Sequence, residues 1–298
     1  THVAGTIGAV GDNALGVTGL CWGAKIMALR AFDDDGNTTV ADTIEAIEYA
    51  RLNGAKIVNA SYADREFSQA EKDMIAQLNS DGILFVAAAG NEGVDSDQTP
   101  SYPAGYHLPN IIAVAASNEN EGLASFSNFG LVKVHVAAPG DGVFSTYPND
   151  EYESSSGTSM AAPHVSGLAA LVWSSNPGLS AAQVKGRILD GVDRMANLEG
   201  FIFTAGGINA NNSVRNIPAP PSNFAAAGVS DRRVDVSWEN NYSDAIRVRI
   251  ERRASEASAF VEIAAVEAGM SVYQDTSAAA ATTYTYRARS DNGEKTSV

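Results

Sequence analysis

Four short apolar runs, separated by stretches with helical periodicity, constrain the fold of this chain most strongly. The runs cover residues 24–32, 56–62, 83–89 and 111–116. Apolar runs of this length are typical of strands buried on both faces of a parallel sheet. Two of the intervening stretches, 39–54 and 67–82, have the periodicity of helices and end at a glycine. This alternation predicts a doubly wound, mostly parallel α/β sheet with helices on both faces.

The two helical stretches allow local predictions. In the first, Ile44, Ile47 and Tyr49 are expected on or near one apolar face. In the second, Ser68 and Glu71 have the spacing of a capping box. In a sheet of this class we expect active residues at the carboxyl ends of the strands.

A second domain is predicted after Arg215. The sequence predicts a peptidase-like domain over residues 1–215, a Pro-rich linker at 216–221 and an all-β module at 222–298. Alternating apolar residues in the module indicate a small β-sandwich. They are Val234, Val236 and Trp238, then Ile246, Val248 and Ile250, then Tyr284 and Tyr286.

Charge and cysteine usage limit the classes of partner. The chain has 20 Lys and Arg against 35 Asp and Glu, a net charge of -15 that argues against nucleic acid and anionic membrane as partners. Cys21 is the single cysteine, so no intrachain disulfide can form. No apolar run approaches the roughly 18 residues that would span a bilayer. We expect a monomer.

The segment GTSMAAPHVSG, residues 157–167, carries the first candidate for chemistry. It places Ser159 at the start of a predicted helix, where free N–H groups and the helix dipole favour developing negative charge. Pro163 falls in the same early helix and removes a backbone hydrogen bond, which a purely structural helix has little reason to carry. Taken alone, Ser159 would be read as an ordinary N-cap.

This segment resembles the nucleophile motif of the subtilisin family, Gly-Thr-Ser-Met-Ala-x-Pro-His-Val, at each of those positions. The resemblance implies a serine peptidase in which Ser159 is the nucleophile. The segment AAAGNEG, residues 87–93, is similar to the family's oxyanion motif and makes Asn91 the side-chain donor to the oxyanion. Without the serine motif, Gly-Asn-Glu-Gly would be read as a turn.

The start of the chain, THVAGTIGA, is similar to the family's His-Gly-Thr-His-Val-Ala-Gly-Thr, whose first histidine is the general base. Thr1 and His2 match the third and fourth positions, so the base is expected two residues before the chain begins. The aspartate that precedes it in the order Asp, His, Ser is expected upstream as well. We therefore expect an N-terminally truncated domain that is inactive by itself. His2, His107, His135 and His164 are read as structural.

The resemblance also implies how substrate is held. An extended substrate would pair with one edge at Ser61 and Tyr62 and with a second at Ala89 and Gly90. Where the family has two glycines after the first edge, this chain has Ala63 and Asp64. Asp64 either favours basic substrate residues or belongs to a solvated turn. In SYPAGY, residues 101–106, the family's pattern implies a cis peptide before Pro103.

Two accessory features follow from resemblance. Residues 10–17 resemble the family's loop for a structural calcium, with Asp12 as the candidate ligand; no cofactor is expected for catalysis. The C-terminal module resembles fibronectin type III through its Pro-rich entry, Trp238 and a tyrosine corner at Tyr284. It is expected to lack its last strand and to serve as a spacer or to bind a surface or polymer.

The leading hypothesis is a secreted serine endopeptidase acting on protein or peptide substrates by an Asp-His-Ser triad. The rival hypothesis is a non-catalytic pseudoprotease or binding protein. Retention of both Ser159 and Asn91 favours the enzyme.

Overall fold

Three of the four predicted strands lie side by side in the computed structural model, which describes residues 1–215, 220–241, 247–256, 258–293 and 295–297. The strands are β1 (Ile57–Ala60), β2 (Leu84–Ala88) and β3 (Ile111–Ser117). They pair in parallel and continue through β4, Val136–Pro139. The hairpin strands β5 and β6 (Val143–Tyr147, Glu151–Ser155) follow in the chain, and β7 and β8 (Asp193–Arg194, Gly206–Gly207) complete the main sheet in the order β1-β2-β3-β4-β8-β7.

Helices of the first unit flank this sheet. In chain order they are α1 (His2–Gly8), α2 (Val40–Leu52), α3 (Gln69–Ser80), α4 (Thr158–Ser175) and α5 (Ala181–Asp190). A short further helix, α6 (Ala210–Arg215), follows at the boundary of the first unit. Ile47 of α2 and Ile75 of α3 pack with Phe85 and Ile111 in one buried cluster. Helix α4 lies against β1 to β4. Every residue of β2 and β3 is buried, as predicted for strands covered on both sides. The predicted α/β class is confirmed.

The strand predicted at residues 24–32 is wrong, because no strand is assigned there. Ile26, Met27 and Leu29 are 45%, 41% and 36% exposed, so their apolar side chains are not sandwiched between layers. A strand requires a neighbour to take its backbone hydrogen bonds. In the described ranges, no strand pairs with this run. Apolar composition alone is therefore not enough to predict a strand here.

Two helix details also need correction. Tyr49 is 54% exposed, and the buried positions of α2 are Thr43, Ile47 and Ala50. At 100° per residue, Tyr49 lies about 200° from Ile47 and so faces away from the core. Ser68 does cap α3 by accepting from the Glu71 amide. The Glu71 carboxylate, however, accepts from the hydroxyls of Tyr62 and Tyr106 instead of closing a capping box.

By its contacts the chain divides into two units, Thr1–Ala210 and Asn211–Val298. The second unit contains β9 to β14: Ser222–Ser230, Arg233–Glu239, Arg247–Arg253, Val261–Glu267, Val272–Asp275 and Thr285–Asp291. They form two three-stranded antiparallel sheets, β13-β10-β9 and β12-β11-β14. The predicted alternation is confirmed for Val236, Trp238, Val248 and Ile250, which are buried together. Ile246 and linker positions 216–219 lie outside the described residues.

Within the ranges that the structure describes, no helix is both long and apolar enough to cross a bilayer.

Candidate active site

Ser159 is the second residue of α4, at the helix N-terminus as predicted. Pro163 lies inside the same helix, four residues after Ser159, and explains why the Ser159 carbonyl has a partner outside the helix. Because proline has no N–H, the Ser159 carbonyl, which is four residues earlier, loses its helical donor. That carbonyl accepts instead from Ser61 Oγ at 2.8 Å. The irregular helix therefore fixes the start of α4 to the residue that follows β1.

The Ser159 hydroxyl is directed at the same residue. Ser159 Oγ donates to the main-chain oxygen of Ser61 at 2.9 Å. All four histidines lie in the described ranges, and none is hydrogen bonded to Ser159: His2 contacts the Val143 carbonyl, His135 the Ala113 amide and His164 the Met160 carbonyl. Burial lowers the pKa of His164, which favours its neutral form.

Asn91 follows β2 and is held from one side by Thr158. Asn91 Oδ1 accepts from the Thr158 amide at 2.8 Å and from the Thr158 hydroxyl at 3.0 Å. A backbone N–H can only donate, so the atom facing it must be the amide oxygen. The Asn91 NH₂ group is thereby left on the other side, free to donate to a ligand.

Asn91 Nδ2 and the Ser159 amide nitrogen converge over Gly157. A Cβ placed on Gly157 would lie 3.6 Å from Asn91 Nδ2 and 3.7 Å from Ser159 N. Gly157 has φ of +152°, which disfavours other residues, and carries no side chain in the space between the two donors. Asn91 Oδ1 lies equally near, at 3.7 Å, but Thr158 already donates to it, which leaves two N–H donors beside this space. Two N–H donors beside one small space are what an oxyanion site requires.

The first predicted substrate edge has its side chains already engaged. Tyr62 donates to Glu71 at 3.1 Å, and its ring packs edge-on against Phe32. Burial, and then the Glu71 carboxylate, raise the pKa of Tyr62 well above its ordinary value, so the phenol stays protonated. The Ser61 carbonyl is occupied by the Ser159 hydroxyl.

Asp64 lies in a turn that it stabilises itself. Its carboxylate accepts from the amides of Arg65 and Glu66 at 2.5 and 3.0 Å. Its main chain pairs with Tyr102 in an isolated antiparallel bridge. These bonds favour the solvated-turn interpretation of Asp64. The peptide between Tyr102 and Pro103 is cis, as predicted.

The second predicted edge, Ala89 and Gly90, is fixed by neighbouring elements. The Ala89 amide donates to the Val114 carbonyl at 3.0 Å, and the Gly90 amide donates to Thr158 Oγ1 at 3.1 Å. Ala89 is buried, and its carbonyl accepts from the side chain of Asn128. The edge is therefore rigid.

Asp12 lies apart from these residues, in an exposed loop after α1. Residues 11–18 surround a depression of about 260 Å³ whose candidate donors are main-chain carbonyls and the Asp12 carboxylate. Oxygen donors of this kind suit calcium. Asn13 Oδ1 contributes to the loop itself by accepting from the Leu15 amide at 3.1 Å. In the described part of the chain, no three His, Cys, Asp or Glu side chains cluster around a common point, so a calcium ion here would depend mainly on main-chain oxygens.

Sequence reasoning missed Thr158 and Asn128. Thr158 directly precedes Ser159 in the serine motif, and this position could have marked it as a residue of the site. Asn128 lies in the segment SFSNFG, which carries no chemical pattern. Only the folded chain brings it against the Asn91 loop.

Comparison with known proteins identifies one family and several relatives. Residues 1–212 match the family model described as the subtilase family, Peptidase S8. The chain is similar to subtilisin DY of Bacillus licheniformis, with 40% identity over 70% of this chain and 74% of the relative. It is similar to thermitase of Thermoactinomyces vulgaris, with 38% identity over 72% of this chain and 74% of the relative. A solved structure of proteases from Pseudoalteromonas arctica is similar with a TM-score of 0.65 and 30% identity, over 72% of this chain and 69% of the other.

Proposed function

Because this chain belongs to the subtilase family, we propose that it forms part of a serine endopeptidase in which Ser159 is the nucleophile and Asn91 an oxyanion donor. The observation that carries the proposal is the convergence of Asn91 Nδ2 and Ser159 N over Gly157, next to the hydroxyl at the N-terminus of α4. A serine with only a structural role at the helix start would not need the Asn91 side chain as a second N–H donor beside it.

The reaction follows from these positions. Ser159 Oγ forms a bond with the substrate carbonyl carbon and gives its proton to a general base, while the carbonyl oxygen becomes negative. Asn91 Nδ2 and Ser159 N donate to that oxygen. The C–N bond then breaks, the proton passes to the leaving amine, and water hydrolyses the acyl-serine by the reverse sequence.

The general base is proposed to be a histidine, oriented by an aspartate, both outside these 298 residues. Two observations support this. The opening THVAGT matches the family's motif from its third position onward. None of the four histidines is hydrogen bonded to Ser159 in the described structure, and His2, His135 and His164 each contact another residue. An unactivated serine is a weak nucleophile, so these residues alone should turn over substrate negligibly.

Substrate is proposed to bind in extended form between Ser61 and Tyr62 on one side and Ala89 and Gly90 on the other. Support comes from the Ser61 carbonyl, which is within 2.9 Å of the nucleophile and accepts only a movable hydroxyl. When the hydroxyl turns to its base, this carbonyl is freed for a substrate N–H.

A structural calcium at Asp12 and the carbonyls of residues 11–18 is proposed on the oxygen chemistry of that loop. It would stabilise the loop and take no part in the reaction. Calcium should then raise the melting temperature of the chain, and Asp12→Ala should remove that effect.

For the second unit we propose a fibronectin type III-like module that acts as a spacer, in a protein that works outside the cell. Its two antiparallel sheets and the Tyr284 hydroxyl, which accepts from the Ala279 amide at 3.3 Å, support the module type. Binding to a surface or polymer is the alternative role.

Covalent labelling tests the proposed nucleophile. A fluorophosphonate should label the full-length protein on a peptide containing Ser159, and Ser159→Ala should abolish the label. A labelled Ser159→Ala variant would assign the reactive group to another residue, and a full-length protein that never labels would favour the non-catalytic binding protein.

A further inference from the structure

Asn128 is wholly buried beneath the loop of residues 89–94, and its side chain uses its full hydrogen-bonding capacity on that loop. Its Nδ2 donates to the Ala89 carbonyl at 3.1 Å and to Glu92 Oε2 at 2.7 Å. Its Oδ1 accepts from the amides of Glu92 and Val94 at 3.0 and 3.1 Å. A primary amide has two N–H donors and two lone pairs, so all four positions are used.

These bonds lie on both sides of Asn91. The Asn128 main-chain amide donates to the Gly90 carbonyl at 3.0 Å, and its side-chain oxygen accepts from the Glu92 amide. The residues before and after Asn91 are thus both tied to Asn128. Asn91 itself is exposed, and its side chain is anchored through Thr158.

Neither Gly90 nor Asn128 can be replaced without disturbing the contact between them. Gly90 has φ of +107°, and a Cβ there would lie 2.2 Å from Asn128 Nδ2 and 2.8 Å from Glu92 Oε2. Aspartate at 128 would keep the two acceptor bonds but lose both donors and set its carboxylate against that of Glu92. Leucine would lose all four side-chain bonds.

We propose that Asn128 is a positioning residue for the oxyanion donor: it sets the place of Asn91 by fixing Gly90 and Glu92. This inference rests on the proposed function. An oxyanion donor must lie within a few tenths of an ångström of its working distance, and loss of one such donor costs about 10²–10³ in kcat. A displaced loop should therefore lower kcat by a fraction of that factor.

The test is a double-mutant cycle in the full-length protein, with a peptide substrate that is neutral at the cleaved residue. Asn128→Asp should lower kcat about 10- to 100-fold and change KM less than about threefold. In an Asn91→Leu background the same change should cost less than about threefold, because the donor it positions is gone. Asn128→Asp combined with Glu92→Gln should recover part of kcat, since the glutamine amide can donate to the new carboxylate.

Asn118→Asp is the matched control. Asn118 also stabilises its own turn, accepting from the amides of Asn120 and Gly122, and this variant should leave kcat unchanged. Equal losses of kcat with and without Asn91, or a loss confined to stability, would overturn the positioning role. Failure of the proposed function is seen separately, because Ser159→Ala would then leave the hydrolysis rate unaltered.

Amide hydrogen exchange on the 298-residue chain tests whether Asn128 fixes the loop of residues 89–94, and it requires no catalytic activity. In Asn128→Leu, the amides of Glu92 and Val94 should exchange at least tenfold faster, while the Ala113 amide in β3 keeps its rate. If Asn128→Leu accelerates all amides alike, it has unfolded the domain, and the cycle with Asn128→Asp decides the question. Unchanged exchange at Glu92 and Val94 would contradict the proposal.

Discussion

Thr158 holds the Asn91 side chain in one orientation, because its amide and its hydroxyl both donate to Asn91 Oδ1, at 2.8 and 3.0 Å. The Thr158 hydroxyl oxygen also accepts from the Gly90 amide at 3.1 Å. Thr158 is itself fully buried. Thr158 therefore fixes Asn91 Oδ1 and leaves Asn91 Nδ2 as the group available for the proposed contact with the oxyanion.

This relationship predicts the effect of removing the hydroxyl. In the full-length protein, Thr158→Val removes the hydroxyl's bonds to Asn91 and Gly90. It should lower kcat about tenfold with little change in KM, which corresponds to about 1.4 kcal/mol. Thr158→Ser keeps the hydroxyl and should stay within about threefold of the parent. Steady-state kinetics of the two variants check this, and equal rates for both would contradict it.

A second prediction concerns the buried carboxylate of Glu71. It accepts from Tyr62 at 3.1 Å and from Tyr106 at 2.7 Å. Glu71→Ala leaves the buried Tyr106 and the partly buried Tyr62 without this partner and should cost about 3 kcal/mol of unfolding free energy, whereas Glu71→Gln should cost less. Urea titration measures both. The exposed Glu45→Ala on α2 is the control and should change stability by less than about 0.5 kcal/mol.

Acid should destabilise the first unit through His135. Burial, with smaller contributions from the charges of Lys185 and His107, lowers the pKa of His135 to about 3. The unfolded chain has a histidine pKa of about 6.5, so between these values the unfolded state binds the proton and the folded state does not. The stability from His135 is complete above about pH 6.5 and is lost progressively as the pH falls toward 3.

The size of this effect can be isolated by substitution. From pH 7 to pH 5, His135→Gln should lose about 2 kcal/mol less stability than the parent chain. Glutamine retains an acceptor for the Ala113 amide, which His135 Nδ1 contacts at 2.9 Å. Urea titrations at both values of pH measure the difference. Parallel losses in the two proteins would show that His135 does not titrate in this window.

In the second unit, Asp275 should dominate stability. It is fully buried and accepts from Arg252, Tyr286 and Ser277 at 2.5, 2.7 and 2.7 Å. Burial alone would raise its pKa, but these hydrogen bonds outweigh burial and hold the pKa below its ordinary value. Asp275→Ala leaves Arg252 without its partner and should cost about 3–5 kcal/mol.

Amide hydrogen exchange in the core strands of the second unit measures the stability lost in Asp275→Ala. Val236 and Ile250 should exchange much faster in Asp275→Ala than in the parent chain. The exposed pair of Arg233 and Asp235 supplies the control, and Asp235→Ala should leave both rates nearly unchanged. Equal effects of the two substitutions would contradict the importance given to burial.

Much of this architecture could be predicted from sequence, because strands such as 83–89 and 111–116 are buried on both faces and carry apolar residues throughout. Residues 24–32 have the same composition but form no strand, since pairing depends on a neighbour and not on the run itself. Local composition cannot report which segments lie side by side.

Some residues of the candidate site could be predicted from the sequence, and others could not. Ser159 and Asn91 stand in recognisable motifs, and Pro163 broke a helix rule that the Ser61 contact now explains. Asn128 is 37 positions from Asn91 and carries no motif, so its bonds to the loop emerge only from the fold. Glu71 was given a capping role because its spacing from Ser68 is local, whereas its tyrosine partners are brought to it by the tertiary structure.

The central claim, that Ser159 is the nucleophile of a peptidase, is tested most directly by casein hydrolysis. The full-length protein, its Ser159→Ala variant and this 298-residue chain should be assayed side by side. We expect the full-length protein to cleave casein, with Ser159→Ala and the 298-residue chain both silent. Cleavage that survives Ser159→Ala, or an intact protein that does not cleave at all, would contradict the claim.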